Sequence, residues 1–121
     1  MLNRSCRVIP ATELTSTGLE DLPLLGDQVH AGSPRVSGRV LAQDSLIEVG
    51  IWEHTAGTTS DIEADEVFIV LAGRATIQVD GGPTLEVGPG DVGFLSAGSA
   101  TVWTIHEPFR KLYVMAVASG S

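Results

Sequence analysis

The 121-residue chain carries 15 acidic and 7 basic residues, a formal net charge of −8. This balance argues against binding to nucleic acid or to anionic membrane surfaces, because both require clustered lysine and arginine. No apolar run approaches the roughly 20 residues that span a bilayer, and residues 1–14 hold no apolar core long enough for a signal peptide. The single cysteine, Cys6, cannot form an intrachain disulfide. We therefore expect a soluble, cytoplasmic protein of one domain.

The N-terminal third is the least regular part of the chain. Residues 11–25 mix threonine, serine, glycine, glutamate and proline with scattered leucines. We interpret residues 1–33 as an arm or loop, with at most one helical turn, that packs on the barrel or on a second subunit. The Ser33-Pro34 step marks its end, and the domain proper is expected to span residues 34–121.

From residue 35 onward the sequence alternates between short β-prone runs and tight turns. The Asp80-Gly81-Gly82-Pro83 segment is typical of a hairpin turn. Residues 56–61 are interpreted as a loop. The predicted strands are 36–42, 46–52, 66–72, 74–79, 84–87, 92–95, 100–105 and 109–117. About eight short strands without a helical period between them indicate an all-β sandwich or closed barrel.

Two spaced motifs refine this expectation. In Glu66-VFIVLA-Gly73 a glutamate precedes a glycine by seven positions, and in Gly90-DVGFL-Ser96-Ala97-Gly98 a glycine is followed by a Ser-x-Gly turn. The first resembles the second half of the first cupin motif. The second resembles the first half of the second cupin motif, with Ser96 in place of proline. The resemblance implies a double-stranded β-helix, or jelly-roll barrel.

An ordered set of further residues extends the resemblance over residues 46–117. The set comprises Trp52, Ala56-Gly57, Asp65-Glu66, Gly90-Asp91, Trp103 and Arg110-Lys111-Leu112-Tyr113. It is similar to short cupins related to the ureidoglycine aminohydrolase cupin domain and to the ethanolamine-utilisation cupins. This barrel hosts binding proteins, isomerases, hydrolases and oxygenases, so the resemblance predicts the fold and leaves the activity open.

The family's metal ligands are largely missing. Counting along the motifs, the histidine positions fall on Ser60, Ile62 and Thr101, and only Glu66 is retained. One carboxylate with hydroxyl groups cannot hold a transition metal tightly. We therefore predict no cofactor, while a weakly bound divalent transition metal stays open.

Such a metal would use Glu66 with His54 or His106. Against this, alternation from Thr101 directs His106 outward, and His54 lies at a strand end beside a loop. We expect both to be surface or loop-end histidines.

Four carboxylates lie close together in the sequence. Alternation places Asp61, Glu63 and Asp65 on one side, interpreted as a solvated rim, and Glu66 on the other. If Glu66 points into the barrel, desolvation should raise its pKa, and it could serve as a general acid or base. The alternative is a structural role, hydrogen-bonded to backbone or paired with Lys111.

The same alternation predicts a mostly apolar pocket beside Glu66. Its candidate ligand-binding residues are Trp52, Ser60, Phe68, Thr101, Trp103, Lys111 and Tyr113. The aromatic side chains could instead simply fill the barrel. The direction in which Lys111 and Tyr113 face is left open.

Apolar residues also recur on the opposite faces of two strands, at Val67, Ile69 and Leu71 and at Leu112, Val114 and Ala116. Exposed apolar faces usually mark interfaces, so a homodimer is expected.

The leading hypothesis for the function is a cupin that binds a small polar metabolite without a histidine-held metal. The alternatives are a hydrolase or isomerase with Glu66 as acid/base, and a dimeric scaffold with a filled barrel.

Overall fold

The computed structural model describes residues 5–117, and its regular secondary structure is almost wholly β-strand. The elements are α1 (Ala11–Leu14), β1 (Glu20–Asp21), a 3₁₀ turn (Gly26–Gln28), β2 (Val29–Ala31), β3 (Val36–Gln43), β4 (Ile47–His54), β5 (Gly57–Ile62), β6 (Glu66–Val79), β7 (Thr84–Val87), β8 (Val92–Leu95) and β9 (Ala100–Ala116). The expected all-β fold is confirmed. In the described part of the chain, no helix is long and apolar enough to cross a membrane.

Two long strands, β6 and β9, tie the barrel together. They pair antiparallel along almost their whole lengths. The first half of β6 and the second half of β9 form one sheet with β4, β3 and β8. The second half of β6 and the first half of β9 form the facing sheet with β5 and β7.

Both long strands bend where they pass from one sheet to the other. The β6–β9 register shifts between Val70 and Ala75. Gly73 lies within this stretch with a φ of +84°, a conformation that favours glycine. A Cβ there would meet the Pro108 carbonyl oxygen and lie 2.7 Å from Cα of Phe109, so the close approach of the two strands also requires glycine.

The core between the sheets is aromatic and aliphatic. Its buried members are Phe68, Val70, Ala75, Ile77, Val87, Leu95, Trp103, Ile105 and Phe109. Trp103 lies between Phe68 and Phe109, with ring centroids 5.8 Å apart in both pairs. Such tilted and edge-on arrangements are the favourable ones for aromatic rings.

The arm adds short strands to both sheets. β1 pairs with β3, and β2 pairs with β5. Arg110 holds the segment before β1, because its guanidinium donates to the carbonyl oxygens of Leu14 (2.8 Å) and Ser16 (2.9 Å) and to the Glu53 carboxylate (3.0 Å). This arrangement brings arm residues over the mouth of the barrel.

Three strand boundaries differ from those expected from the sequence. Residues 56–61, interpreted as a loop, form most of β5 because Gly57–Ile62 pairs with β9 on one side and partly with β2 on the other. The segments 66–72 and 74–79 are one strand, as are 100–105 and 109–117 as far as Ala116. The β6–β9 pairing is irregular around Gly73 and Pro108, so the two strands bend there but continue.

Candidate functional site

A buried ion pair lies between the two long strands. The Lys111 ammonium on β9 is 2.6 Å from Oε2 of Glu66 on β6, and the two side chains are only 6% and 8% exposed. Both side chains therefore point into the barrel, which settles the direction of Lys111 that the sequence left open.

Aromatic rings surround the ammonium group of that pair. Nζ of Lys111 lies 4.6 Å from the ring centroid of Trp52, 4.7 Å from that of Trp103 and 4.9 Å from that of Phe68. Ring faces attract cations, most strongly when both partners are shielded from water. The three rings thus stabilise a primary ammonium group inside the barrel.

The ionisation of Glu66 reflects competing influences. Burial raises its pKa, and the nearby carboxylates of Glu63 and Asp61 raise it further, whereas the Lys111 ammonium lowers it. Burial is the largest of these effects, so the pKa lies above its ordinary value. The direction agrees with that expected from the sequence.

A cavity of about 710 Å³ opens beside the ion pair. Its wall includes Glu66, Lys111, Trp52 and Trp103 from the barrel strands. The arm contributes six further residues at the mouth: Gly18, Glu20, Leu22, Pro23, Leu24 and Gln28. The volume falls within the range of small-molecule sites.

Two further carboxylates line the cavity on the β5 side. Glu63 accepts hydrogen bonds through Oε2 from the Thr101 hydroxyl (2.6 Å) and the Trp103 indole N–H (3.0 Å). Asp61 lies nearby, and burial together with the Glu63 carboxylate raises its pKa. Asp61 is exposed, in keeping with the solvated rim expected from the sequence, whereas Glu63 is half-buried and turns towards Trp103.

The reason is local backbone geometry. β5 ends at Ile62, and the backbone of Glu63 bonds to Ser99 and Gly98 in the turn before β9. Strict alternation no longer holds once the strand has ended. Asp65 does lie outside the cavity, exposed, and accepts a hydrogen bond from the Ala97 amide.

Tyr113 occupies the same face of β9 as Lys111. Its hydroxyl donates to Oε2 of Glu48 at 2.7 Å, and both residues line the cavity. Burial and the Glu48 carboxylate raise the pKa of Tyr113 well above its ordinary value. The phenol is therefore a stable hydrogen-bond donor at neutral pH.

His54 lies at the end of β4 beside a loop, as expected, but it is buried. The residue is 1% exposed, and its two ring nitrogens contact the Thr55 carbonyl oxygen (2.6 Å, Nδ1) and the Thr59 hydroxyl (2.8 Å, Nε2). Burial lowers the pKa of His54. These two partners satisfy the ring at the end of β4, which is why a strand-end histidine can be buried here.

No group of three or more histidine, cysteine, aspartate or glutamate side chains within residues 5–117 is arranged to hold a metal ion. Both nitrogens of His54 are already hydrogen-bonded. His106 is exposed and contacts the Thr76 hydroxyl at 2.7 Å. Within the described residues, Glu66, His54 and His106 therefore do not form a three-ligand group, and the alternative of Glu66 with one of the two histidines stays a prediction.

The other sequence-predicted residues take different positions around the cavity. Trp52, Ser60, Trp103, Lys111 and Tyr113 border it. The Ser60 hydroxyl contacts His30 of the arm, 2.9 Å away. Phe68 packs beneath the Lys111 ammonium, and Thr101 positions Glu63 from behind.

Sequence reasoning missed Thr59, Glu63 and Glu48 as cavity residues. Counting from Glu66 selects Ser60 and Ile62, which also border the cavity. The register of β5 and β9 places Thr59 and Asp61 on the face that Trp103 and Thr101 share, so Ser60 and Ile62 lie on the other face of the strand.

Comparisons with known proteins agree with this architecture. A family model described as the EutQ-like cupin domain matches residues 41–113. No curated protein matches the chain at a significant level.

Several solved structures superpose on this fold. The EutQ protein of Clostridium difficile superposes with a TM-score of 0.63 at 23% identity, covering 74% of this chain and 75% of that one. A protein of unknown function from Rhizobium leguminosarum gives 0.66 at 19% identity, covering 93% and 97%. The DMSP lyase DddQ of Ruegeria pomeroyi gives 0.61 at 22% identity, covering 72% and 49%. At these identities the likeness describes the fold.

The buried ion pair leads to a first prediction. Glu66→Gln leaves the Lys111 ammonium buried without its counter-charge and should lower the free energy of unfolding by about 3–5 kcal/mol. The double variant Glu66→Gln/Lys111→Met should lose less than the sum of the single changes. Urea denaturation measures the free energy of unfolding of the single and the double variants. The exposed Asp21–Arg35 pair provides the control, since Asp21→Asn should cost less than about 1 kcal/mol. Equal costs for Glu66→Gln and Asp21→Asn would contradict the prediction.

His54 leads to a second prediction, on pH. Its folded-state pKa lies below the ordinary value, so the unfolded chain binds more protons in the interval between the two. Stability contributed by His54 is present above about pH 6.5 and is lost as the pH falls towards the folded-state pKa. Urea midpoints of wild type and His54→Gln, compared at each pH, should converge as the pH falls. His106→Gln, at an exposed site, should run parallel to wild type, and a parallel His54→Gln profile would refute the assignment.

Proposed function

Because the chain belongs to the EutQ-like cupin domain family, we propose that it binds a small polar molecule in the barrel cavity without a histidine-held metal. The observation that carries this proposal is the cavity of about 710 Å³ beside the Glu66–Lys111 pair. A scaffold with a filled barrel would leave no such space. The cavity therefore favours a binding role over a purely structural one.

The chemistry of the wall supports a polar ligand. Trp52 and Trp103 offer flat apolar surface, while Glu66, Lys111 and Tyr113 offer charged and hydrogen-bonding groups. A mixture of apolar walls and a few fixed polar groups is the usual composition of small-molecule sites. The barrel strands hold all five residues, so the wall is preformed.

An enzymatic role for Glu66 is the second candidate. Its carboxyl lies on the cavity wall, and burial raises its pKa towards the range useful for proton transfer. The ion pair with Lys111 opposes that role, because it holds the carboxylate in the charged form. A small-metabolite hydrolase or isomerase would therefore have to separate the pair when substrate binds.

We also propose a homodimer that forms through the outer face of β6, β8 and β9. Val67 lies opposite Phe94 and Val114, and Ile69 lies opposite Val92 and Leu112, so six apolar side chains share one surface. Phe94 is 74% exposed. An apolar array of this kind is typical of a subunit interface.

The binding proposal predicts ligand-dependent stabilisation. A metabolite screen by thermal shift should find compounds that raise Tm by several degrees, since a ligand at 100 times its Kd stabilises the fold by about 2.7 kcal/mol. Trp52→Leu removes a ring from the wall and should reduce the shift. Phe94→Leu, the same kind of change outside the cavity, should retain it. A screen covering cations, anions and neutral compounds without any hit would refute the proposal.

The dimer proposal predicts a mass of about two chains by light scattering. Phe94→Lys places a charge in the apolar array and should shift the mass to that of one chain. Leu46→Lys changes an exposed apolar residue at a turn and should leave the dimer intact. A wild-type protein that is monomeric at micromolar concentration would rule the dimer out.

A further inference from the structure

The β5 side of the cavity presents hydrogen-bond acceptors to the interior. Thr59 and Asp61 share one face of β5, opposite Trp103 and Thr101 of β9; Thr59 is buried, and Asp61 lies at the exposed end of the cavity. Glu63 follows and is fixed over these two β9 residues by its hydrogen bonds. The three residues form one wall, here called the acceptor wall, which is separate from the Glu66–Lys111 pair.

The Thr59 hydroxyl is an acceptor because of how its proton is used. The Thr55 carbonyl oxygen can only accept, so Nδ1 of the His54 ring carries the proton. In the neutral ring Nε2 is then an acceptor, and the Thr59 hydroxyl must donate to it at 2.8 Å. Thr59 is 5% exposed and lines the cavity. The hydroxyl group therefore has no proton left to donate to a ligand in the cavity, and its oxygen can only accept a hydrogen bond from the ligand.

Glu63 adds negative charge to the same wall. Its two hydrogen bonds come from a hydroxyl and an indole, which orient the carboxylate without neutralising it. Both bonds fall on Oε2, so Oε1 makes no hydrogen bond that the structure shows within residues 5–117. The cavity is lined by the carboxylates of five residues and by two cationic side chains, an excess of negative charge; they are Glu20, Glu48, Asp61, Glu63 and Glu66, and Arg39 and Lys111.

The donor set of the wall suits an organic ion better than a metal. Of its three residues only Asp61 and Glu63 carry a carboxylate, and no group of three metal-ligating side chains occurs in the described part of the chain. The opposite side of the cavity carries Trp52, whose ring already stabilises the Lys111 ammonium.

From these observations we propose that the cavity selects a small organic cation whose ammonium N–H groups are accepted by Thr59, Asp61 and Glu63. This inference rests on the proposed binding function and specifies the chemical class of the ligand. Donors on the ligand match acceptors on the wall, and the positive charge offsets the excess of carboxylates. Neither an anion nor a neutral alcohol satisfies both conditions.

Four probes of similar size distinguish the contribution of positive charge from that of N–H donors. They are n-butylammonium, tetramethylammonium, butan-1-ol and butyrate, titrated against intrinsic tryptophan fluorescence. The chain has only two tryptophans, Trp52 and Trp103, and both line the cavity, so the signal reports this site. We expect n-butylammonium to bind at least about tenfold more tightly than the other three, because only it has both charge and N–H donors.

Matched variants locate the contacts. Glu63→Gln keeps an oxygen for Thr101 and Trp103 but removes the charge, and it should weaken n-butylammonium binding about tenfold. Asp65→Asn makes the same change in charge outside the cavity and should alter the affinity less than about twofold. Thr59→Val should also weaken binding, whereas Thr59→Ser, which keeps the hydroxyl, should not.

The results distinguish this inference from the binding function on which it rests. Butyrate or butan-1-ol binding as tightly as n-butylammonium would overturn the inference and leave the binding function standing. Tetramethylammonium binding equally well would show that charge alone is recognised and would remove the role of the acceptor wall. No fluorescence change with n-butylammonium, or equal effects of Glu63→Gln and Asp65→Asn, would likewise overturn it. The broad thermal-shift screen decides the binding function separately.

Discussion

Glu66 and Lys111 face each other at 2.6 Å in a part of the barrel otherwise lined by aromatic rings. Burying two charges costs more free energy than their attraction regularly returns, so such a pair persists only where its surroundings hold both partners in place. Here the strands that carry the pair are also the strands common to both sheets. The pair therefore couples the packing of the barrel to the charge of its cavity, and neither residue can change alone.

The interior of the barrel accordingly has an apolar part and a polar part. Towards the bends of β6 and β9, apolar residues such as Ile105 and Phe109 fill the space between the sheets. Beyond Trp103 the interior becomes polar, and each polar group is held by another: Tyr113 by Glu48, Glu63 by Trp103, and Thr59 by His54. Fixed polar groups at the edge of a dry core are what allow a cavity to discriminate between ligands of similar size.

Much of the architecture was predictable from the sequence, because turn residues and alternation act locally. Asp80-Gly81-Gly82-Pro83 marks the β6–β7 hairpin, and alternation correctly directs Phe68 inward and places Glu66 beside it at the cavity. The site was less predictable for two physical reasons. Glu63 follows the end of a strand, where side-chain direction depends on the neighbouring turn. The burial of His54 depends on acceptors and donors, at Thr55 and Thr59, that no periodicity reveals.

The arm has a consequence for how this barrel could diversify. Six of its residues border the cavity, yet its described strands are only two and three residues long and its position depends heavily on Arg110. None of the buried hydrophobic core belongs to it. Exchanging this segment between related proteins would change the shape and polarity of the mouth while the hydrophobic core stays the same. The shape of the mouth and the hydrophobic core are thus encoded in largely separate stretches of the chain and can evolve at different rates, whereas the charged groups deeper in the cavity stay tied to the barrel.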